Sequence, residues 1–237
     1  MDNGFERRFN RVVRAYDWTQ GAEGFENFSN VANAWGGLNA AGGALSAELE
    51  RLAGNRDFTQ EGRRNRLRET FARDVVPALV AGQAALRAAE NERTQIRERA
   101  EAAMVTDRTD VVGAMLRSEI RTWLRGLEPG KRSAMLALPD DLSPDVALAI
   151  VEAPPELSGV PQGQREALRE RAFIAQNPDA ARTLERIDAA AGALADMLAV
   201  VAAESGRITD LQPHEVAEAA GAPTLAQRIE ERLNQAA

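Results

Sequence analysis

Two long alanine-rich stretches, from about Thr59 to Met104 and from about Pro178 to Glu204, limit what this chain can fold into more than any other feature. Alanine has the best helix propensity and lets helices approach closely, so such stretches form helices. Each carries an apolar stripe. In the first, Leu67, Phe71, Val75 and Leu79 lead into Gly82, Leu86 and Ala89, and from Leu79 the spacing alternates three and four, the heptad pattern. Arg93 stands in that register where an apolar residue is expected. In the second stretch, Leu184, Ile187, Ala191, Leu194, Leu198 and Val201 make a regular seam. Thr59 offers an N-cap to the first helix, and Asn177-Pro178 opens the second. Pro77 removes a backbone donor and disfavours helix at Val76, which predicts a kink or short break. Gly206 is expected to close the second helix.

Several short helices are predicted between these stretches. Val112, Leu116, Ile120, Trp123 and Leu127 form one apolar stripe, stopped by Glu128-Pro129-Gly130. A short helix follows around 131–138. Ser143-Pro144-Asp145 opens another that ends before Ala153-Pro154-Pro155, and a further helix runs to about Gln176. Two brief helices are expected in the tail, around 213–220 and 224–234. Alternation of apolar and polar residues with β-branched enrichment is missing, so no strand is predicted. The expected fold is all-α: an elongated antiparallel helical hairpin, coiled-coil-like, with a cluster of short helices between its two long helices. An arginine excess over 63–108 and an acidic excess over 178–205 favour that pairing. The expected organisation is an arm over 1–57, a helical body over 58–205 and a short helical tail over 206–237. Within the body, long helices at about 59–106 and 178–205 bracket the short ones of 109–176.

The arm holds most of the aromatic residues, Phe5, Phe9, Tyr16, Trp18, Phe25, Phe28 and Trp35, together with clustered glycines. Helical spacing of Phe5, Phe9, Val12 and Tyr16 predicts a short helix flanked by Arg7, Arg8, Arg11 and Arg14. A weaker helix is predicted from Leu38 to Leu52. The aromatics either cap the base of the hairpin or dock on a partner, where Tyr and Trp concentrate binding energy.

Chemistry-bearing residues are few. The 237 residues include no cysteine, which removes disulfides, thiol catalysis and thiolate metal sites. His214 is the only histidine and reads as a surface or capping residue. Glu90, Glu92, Glu98 and Glu101 read as a mixed-charge helix surface, and Asp140-Asp141 as a solvated turn. No nucleophile–base pair, metal cluster or phosphate loop can be assembled, so no catalytic, metal or cofactor site is expected and the protein reads as a non-enzyme. A net charge of −7 argues against a general nucleic-acid binder. Arg63, Arg64 and Arg66 crowd the start of the first long helix. They read either as a face paired with Glu69 and with acids of the other long helix, or as a contact for an acidic partner. Lys131 is the only lysine, the mark of a GC-rich bacterial genome or of a virus that lives in one. No apolar leader is visible at the start, and the run Ala189–Ala203 is too short for a membrane span, so a cytoplasmic protein without membrane partners is expected.

Local phrases carry a resemblance. Asp57-Phe58-Thr59-Gln60-Glu61-Gly62-Arg63-Arg64 resembles the helix opening of uncharacterised helical proteins in tailed-phage and prophage structural gene clusters. Ala153-Pro154-Pro155-Glu156-Leu157-Ser158-Gly159, an Arg/Glu-rich helix and Asn177-Pro178-Asp179 resemble the later part of such proteins. The likeness covers about residues 55–205. It supplies no catalytic motif. It implies a non-enzymatic structural or assembly protein of a bacteriophage virion, associated with capsid, neck or tail, with a homo-oligomer and particle proteins as partners. The alternatives are a bacterial cytoplasmic helical adaptor or regulator, and a nucleic-acid-binding accessory factor resting on the arginine clusters.

Overall fold

In a computed structural model of the chain, residues 16–18, 24–55, 57–103, 110–138 and 141–236 are described. Among them the regular structure is all helical, with no strand, as the periodicity predicts. The order is α1 (Phe28–Ala53), α2 (Gln60–Thr70), a π-helical turn (Phe71–Val75), α3 (Val76–Ala103), α4 (Val111–Gly126), α5 (Pro129–Leu136) and α6 (Pro144–Glu152), then α7 (Pro155–Ser158), α8 (Gln162–Gln176), α9 (Pro178–Thr209), α10 (Pro213–Ala219) and α11 (Pro223–Ala236). The helix predicted over 5–16 lies outside the described residues, apart from Tyr16.

The chain forms two compact units. Unit 1 comprises the described residues up to Arg93 together with Glu185–Ala237; unit 2 is Thr94–Leu184. Both boundaries fall inside helices, α3 and α9. This division differs from the arm, body and tail expected from composition, because the first segment packs into the same unit as the start of the first long stretch.

Within unit 1, α9 is central. Met197 to Ala203 are all buried, as expected for a helix apolar all round. Arg93 Nε lies 2.7 Å from Asp188 Oδ1, Gly82 faces Leu198, and Arg68 Nε donates to the Thr209 carbonyl at 3.1 Å. Residue numbers rise along one strand of these contacts and fall along the other, so the two segments run in opposite senses. They do not form a two-member hairpin here, because α1 joins the seam. A Cβ added at Gly82 would come within 2.9 Å of Leu198 and 3.1 Å of Leu38.

Four local expectations change. First, α1 starts at Phe28 rather than Leu38. Gly36, Gly37 and Gly43 each cost about 1 kcal/mol of helix propensity, yet Val31, Ala34, Leu38, Ala41, Leu45 and Leu52 are buried at helical spacing and hold the helix through them. Second, Pro77 does not break the first long helix. The π-helical turn just before it, with the Val76 N–H donating to the Phe71 carbonyl five residues back, relaxes the ladder where the proline ring would collide with it. Third, α9 continues through Gly206 to Thr209. That glycine makes room for the returning chain: an added Cβ would lie 3.1 Å from the Leu211 carbonyl oxygen. The reversal falls at Asp210, with φ of 57°. Fourth, the buried heptad position beside Ala89 is Glu92, while Arg93 is half exposed.

Unit 2 packs α4, α5, α6 and α8 around Leu124, Leu136, Ile150, Val160 and Leu168. A smaller cluster joins Ala100, Phe173, Ala181 and Leu184. There the Arg97 guanidinium sits 4.7 Å over the Phe173 ring and pairs with Glu170. Ser143 and Asp110 cap α6 and α4 through their side chains, as capping chemistry requires.

Candidate functional site

The aromatic residues of the first segment come together in unit 1. Tyr16 and Trp18 have ring centroids 4.5 Å apart, Trp18 lies 5.9 Å from Phe28 and 5.7 Å from Trp35, and Phe25 meets Phe28 edge-on at 5.9 Å. Phe25 is buried, while Tyr16, Trp18, Phe28 and Trp35 are partly covered. The buried Trp18 indole N–H has no acceptor among the described residues. Phe5 and Phe9 lie outside the described residues. The cluster sits at the start of α1, which Glu92 fixes. The Glu92 carboxylate is buried and accepts the Glu26 N–H at 2.6 Å, the Asn27 N–H at 2.9 Å and the Asn27 side-chain amide at 2.8 Å. It is a helix cap supplied by another helix, and it removes Glu92 from the solvated face where the sequence placed it.

Burial raises the pKa of Tyr16 above the usual tyrosine value; nearby Arg186 opposes the shift and Asp17 adds to it. The chain has a single tyrosine, so its ultraviolet titration reads this cluster alone. The folded protein is expected to ionise at higher pH than the urea-unfolded chain. Because the raised folded pKa favours the neutral phenol, the stabilising contribution is present below the unfolded pKa and lost as pH rises towards the folded one. Equal midpoints for the two states would contradict the packing.

Arg63, Arg64 and Arg66 are engaged within unit 1. Arg63 donates to the Asn55 carbonyl at 2.8 Å, Arg64 lies 3.1 Å from Asp210, and Arg66 pairs with Glu69 at 2.8 Å and reaches Glu48 at 3.7 Å. The Arg51 hydrogen bond holds Glu48 below the usual carboxylate range, against a smaller opposing effect of burial. The Arg64–Asp210 and Arg66–Glu69 pairs are exposed, each worth little to stability.

The surface that the sequence reading missed is α4. The spacing predicts one inward stripe of Val112, Leu116, Ile120, Trp123 and Leu127. Ile120 and Leu127 do pack on the unit 2 core, with Leu124 fully buried. Val112, Leu116 and Trp123 instead face outward at 80%, 51% and 51% exposure, beside Met115 at 63%. The side turned to the protein carries arginines. Arg117 is buried, with Nε 2.7 Å from Glu152; Arg121 Nη1 lies 3.6 Å from Glu152 and donates to the Ala149 carbonyl at 3.1 Å; Arg125 donates to the Leu157 carbonyl. The inner side of this helix thus mixes Ile120, Leu124 and Leu127 with Arg117 and Arg121, and part of its apolar set is left outside.

Shallow clefts lie in unit 1. One of about 460 Å³ between α1 and α3 is lined by Asn30, Asn33, Gly37 and alanines, without an ionisable group. Another of about 300 Å³ has an apolar floor of Leu86, Ile187 and Ala191, rimmed by Glu90, Arg93, Asp188 and Arg228. His214 is exposed at the second residue of α10. Among the described residues no three His, Cys, Asp or Glu are placed to hold a metal ion, and no helix is long and apolar enough to cross a membrane. Comparison of the chain with protein-family models, with curated proteins and with solved structures finds no match.

Proposed function

We propose that the protein is a non-enzymatic structural or assembly component that acts through helical protein–protein contacts. Following the resemblance of its helix openings, its setting is a bacteriophage particle. The observation that carries this reading is α4, where Val111, Val112, Met115, Leu116 and Trp123 are turned to solvent while Arg117 and Arg121 are engaged by Glu152 and the Ala149 carbonyl. Contiguous exposed apolar surface of this kind marks contact sites. A nucleic-acid role draws no support from Arg63, Arg64 and Arg66, whose guanidinium groups already meet acceptors of their own unit. The test is detection of the protein with a specific antibody in particles purified from the strain that encodes it. Presence in mature or precursor particles is expected; restriction to the soluble cell fraction at every stage of particle formation overturns the virion reading.

A further inference from the structure

We infer that the outward face of α4 is a self-association surface, on which a second copy of this chain seats its own α4 across a two-fold axis. The inference rests on the reading that the protein works through helix contacts, and it names the partner. Val112, Leu116 and Trp123 follow the i, i+4, i+11 spacing of one helical stripe, with Met115 and Val111 alongside, and the five are exposed by 51% to 80%. From Val111 to Trp123 the stripe is roughly 18 Å long at 1.5 Å per residue. Its exposed apolar area is on the order of 400–500 Å², at the upper end of what a monomer leaves uncovered. The same face on two copies brings the total to roughly 1,000 Å², the lower limit for a specific interface.

The chemistry of the face favours its own kind. Arg117 and Arg121 are directed to Glu152 and the Ala149 carbonyl, while Arg125 is exposed off the stripe, where it donates to the Leu157 carbonyl and to Thr122. The stripe is otherwise interrupted by the single carboxylate of Glu119, which is exposed. A nearly uncharged apolar stripe is complemented by another such stripe. Among the described residues the other large exposed apolar ones, Val80, Leu138, Leu157 and Ile174, come from four different segments and do not make a second stripe. An isologous pair with α4 antiparallel to its copy sets Trp123 of each copy over Leu116 of the other, and closes without leaving a free face. It also brings the two Glu119 carboxylates near the axis. That gives the contact a signature opposite to an ionic interface: screening by salt strengthens it.

Sedimentation equilibrium and light scattering on the full chain, up to roughly 100 µM, test this at the scale where interfaces of this size associate. The wild-type protein is expected to be dimeric and to tighten as salt rises. Trp123→Ala raises the dimer dissociation constant by at least about 30-fold, the scale of a central tryptophan anchor. Val112→Glu also dissociates it. Val112 is the second residue of α4, where a carboxylate suits the helix dipole, so this variant retains its helical circular dichroism and melting temperature. Glu119→Gln tightens the dimer about 3-fold, the size of a weak like-charge contact. A wild-type monomer over the whole range, or a dimer indifferent to both Trp123→Ala and Val112→Glu, overturns the pairing. Incorporation of Val112→Glu into particles separates the two readings. Normal incorporation by a dissociated variant counts against helix contacts through α4 as the working surface. Loss of incorporation by a protein that is monomeric as wild type overturns self-pairing alone and assigns the face to another particle protein.

Discussion

Replacement of Glu92 by alanine is expected to lower the stability of unit 1 by about 3 kcal/mol, at the level of charge-assisted hydrogen bonds lost from a buried acceptor. Its carboxylate takes three donors from two consecutive residues, Glu26 and Asn27, at the start of α1. Asn27 does not cap the helix with its own side chain, so nothing local replaces the acceptor. A helix N-terminus also carries a partial positive charge that the carboxylate offsets. Glutamine is no neutral substitute. Its one oxygen can serve the Asn27 donors, but its NH₂ then faces the Glu26 N–H, so Glu92→Gln should cost about 2 kcal/mol. Two of the three tryptophans, Trp18 and Trp35, stand in the aromatic cluster next to this cap. Their fluorescence during urea unfolding therefore reports the loss. Faster amide exchange at Glu26 and Asn27 would place it at the cap. A midpoint shift of less than about 0.5 kcal/mol, the size of an ordinary surface substitution, would show that the cap is dispensable.

The same residue shows what the sequence discloses and what it hides. Leu79, Ala89, Ile187, Leu194, Leu198 and Val201 are read as core from spacing alone, and all are buried. Spacing works there because an amphipathic helix has only one way to hide its apolar side. At the next turn the rule selects Arg93, and the buried position is Glu92. A buried carboxylate is intelligible only from its donors, and those lie 65 and 66 residues away in the chain. The helix predicted from Leu38 starts ten residues too late, past Gly36 and Gly37, because propensity is local while the burial of Val31, Leu38 and Leu45 is not. The closeness of Tyr16, Trp18, Phe28 and Trp35 could be anticipated as a cluster of aromatics in one segment. The outward turn of Trp123 could not, since the stripe containing it is a correct helical period of which only Ile120 and Leu127 reach the core.

Why α4 turns that way follows from how unit 2 closes its helix ends. Arginine presents five donors in a planar fork and an apolar stem, so it can lie inside a bundle with its head on carbonyl groups. Helix C-termini leave such carbonyls without partners. At the end of α6 the chain continues as Ala153-Pro154-Pro155, and two prolines in succession have no N–H to offer. Arginines from other helices supply the donors: Arg121 of α4 reaches Ala149, and Arg165 of α8 reaches Ile150 and Val151. Arg68 does the same for Thr209 at the end of α9 in unit 1. With Arg117 and Arg121 taking up part of its inner side, α4 leaves Val111, Val112, Met115, Leu116 and Trp123 outside.

Arg165 is the strongest case, and Arg165→Ala is expected to cost unit 2 about 4 kcal/mol, because several charge-assisted hydrogen bonds are lost together and a void remains. The side chain is 8% exposed. Its Nη1 donates to the Ile150 carbonyl at 2.7 Å and to Ser158 Oγ at 3.0 Å, and its Nη2 donates to the Val151 carbonyl at 3.0 Å. Burial pushes its pKa below the usual arginine value, Arg169 adds to that, and Glu156 opposes it. The cation nevertheless stays charged, since arginine does not deprotonate in proteins. Arg165→Lys keeps the charge at the helix C-terminus but replaces the fork by one nitrogen, and should cost about half as much. Arg165→Met fills the space and leaves all three acceptors unmet, so it should resemble alanine in stability despite its better packing. Thermal unfolding followed by circular dichroism, with amide exchange resolving α6 from α9, measures each variant. The ranking lysine above methionine is the decisive result: methionine equal to or better than lysine would mean that packing, rather than the capping of α6, is what this buried arginine provides.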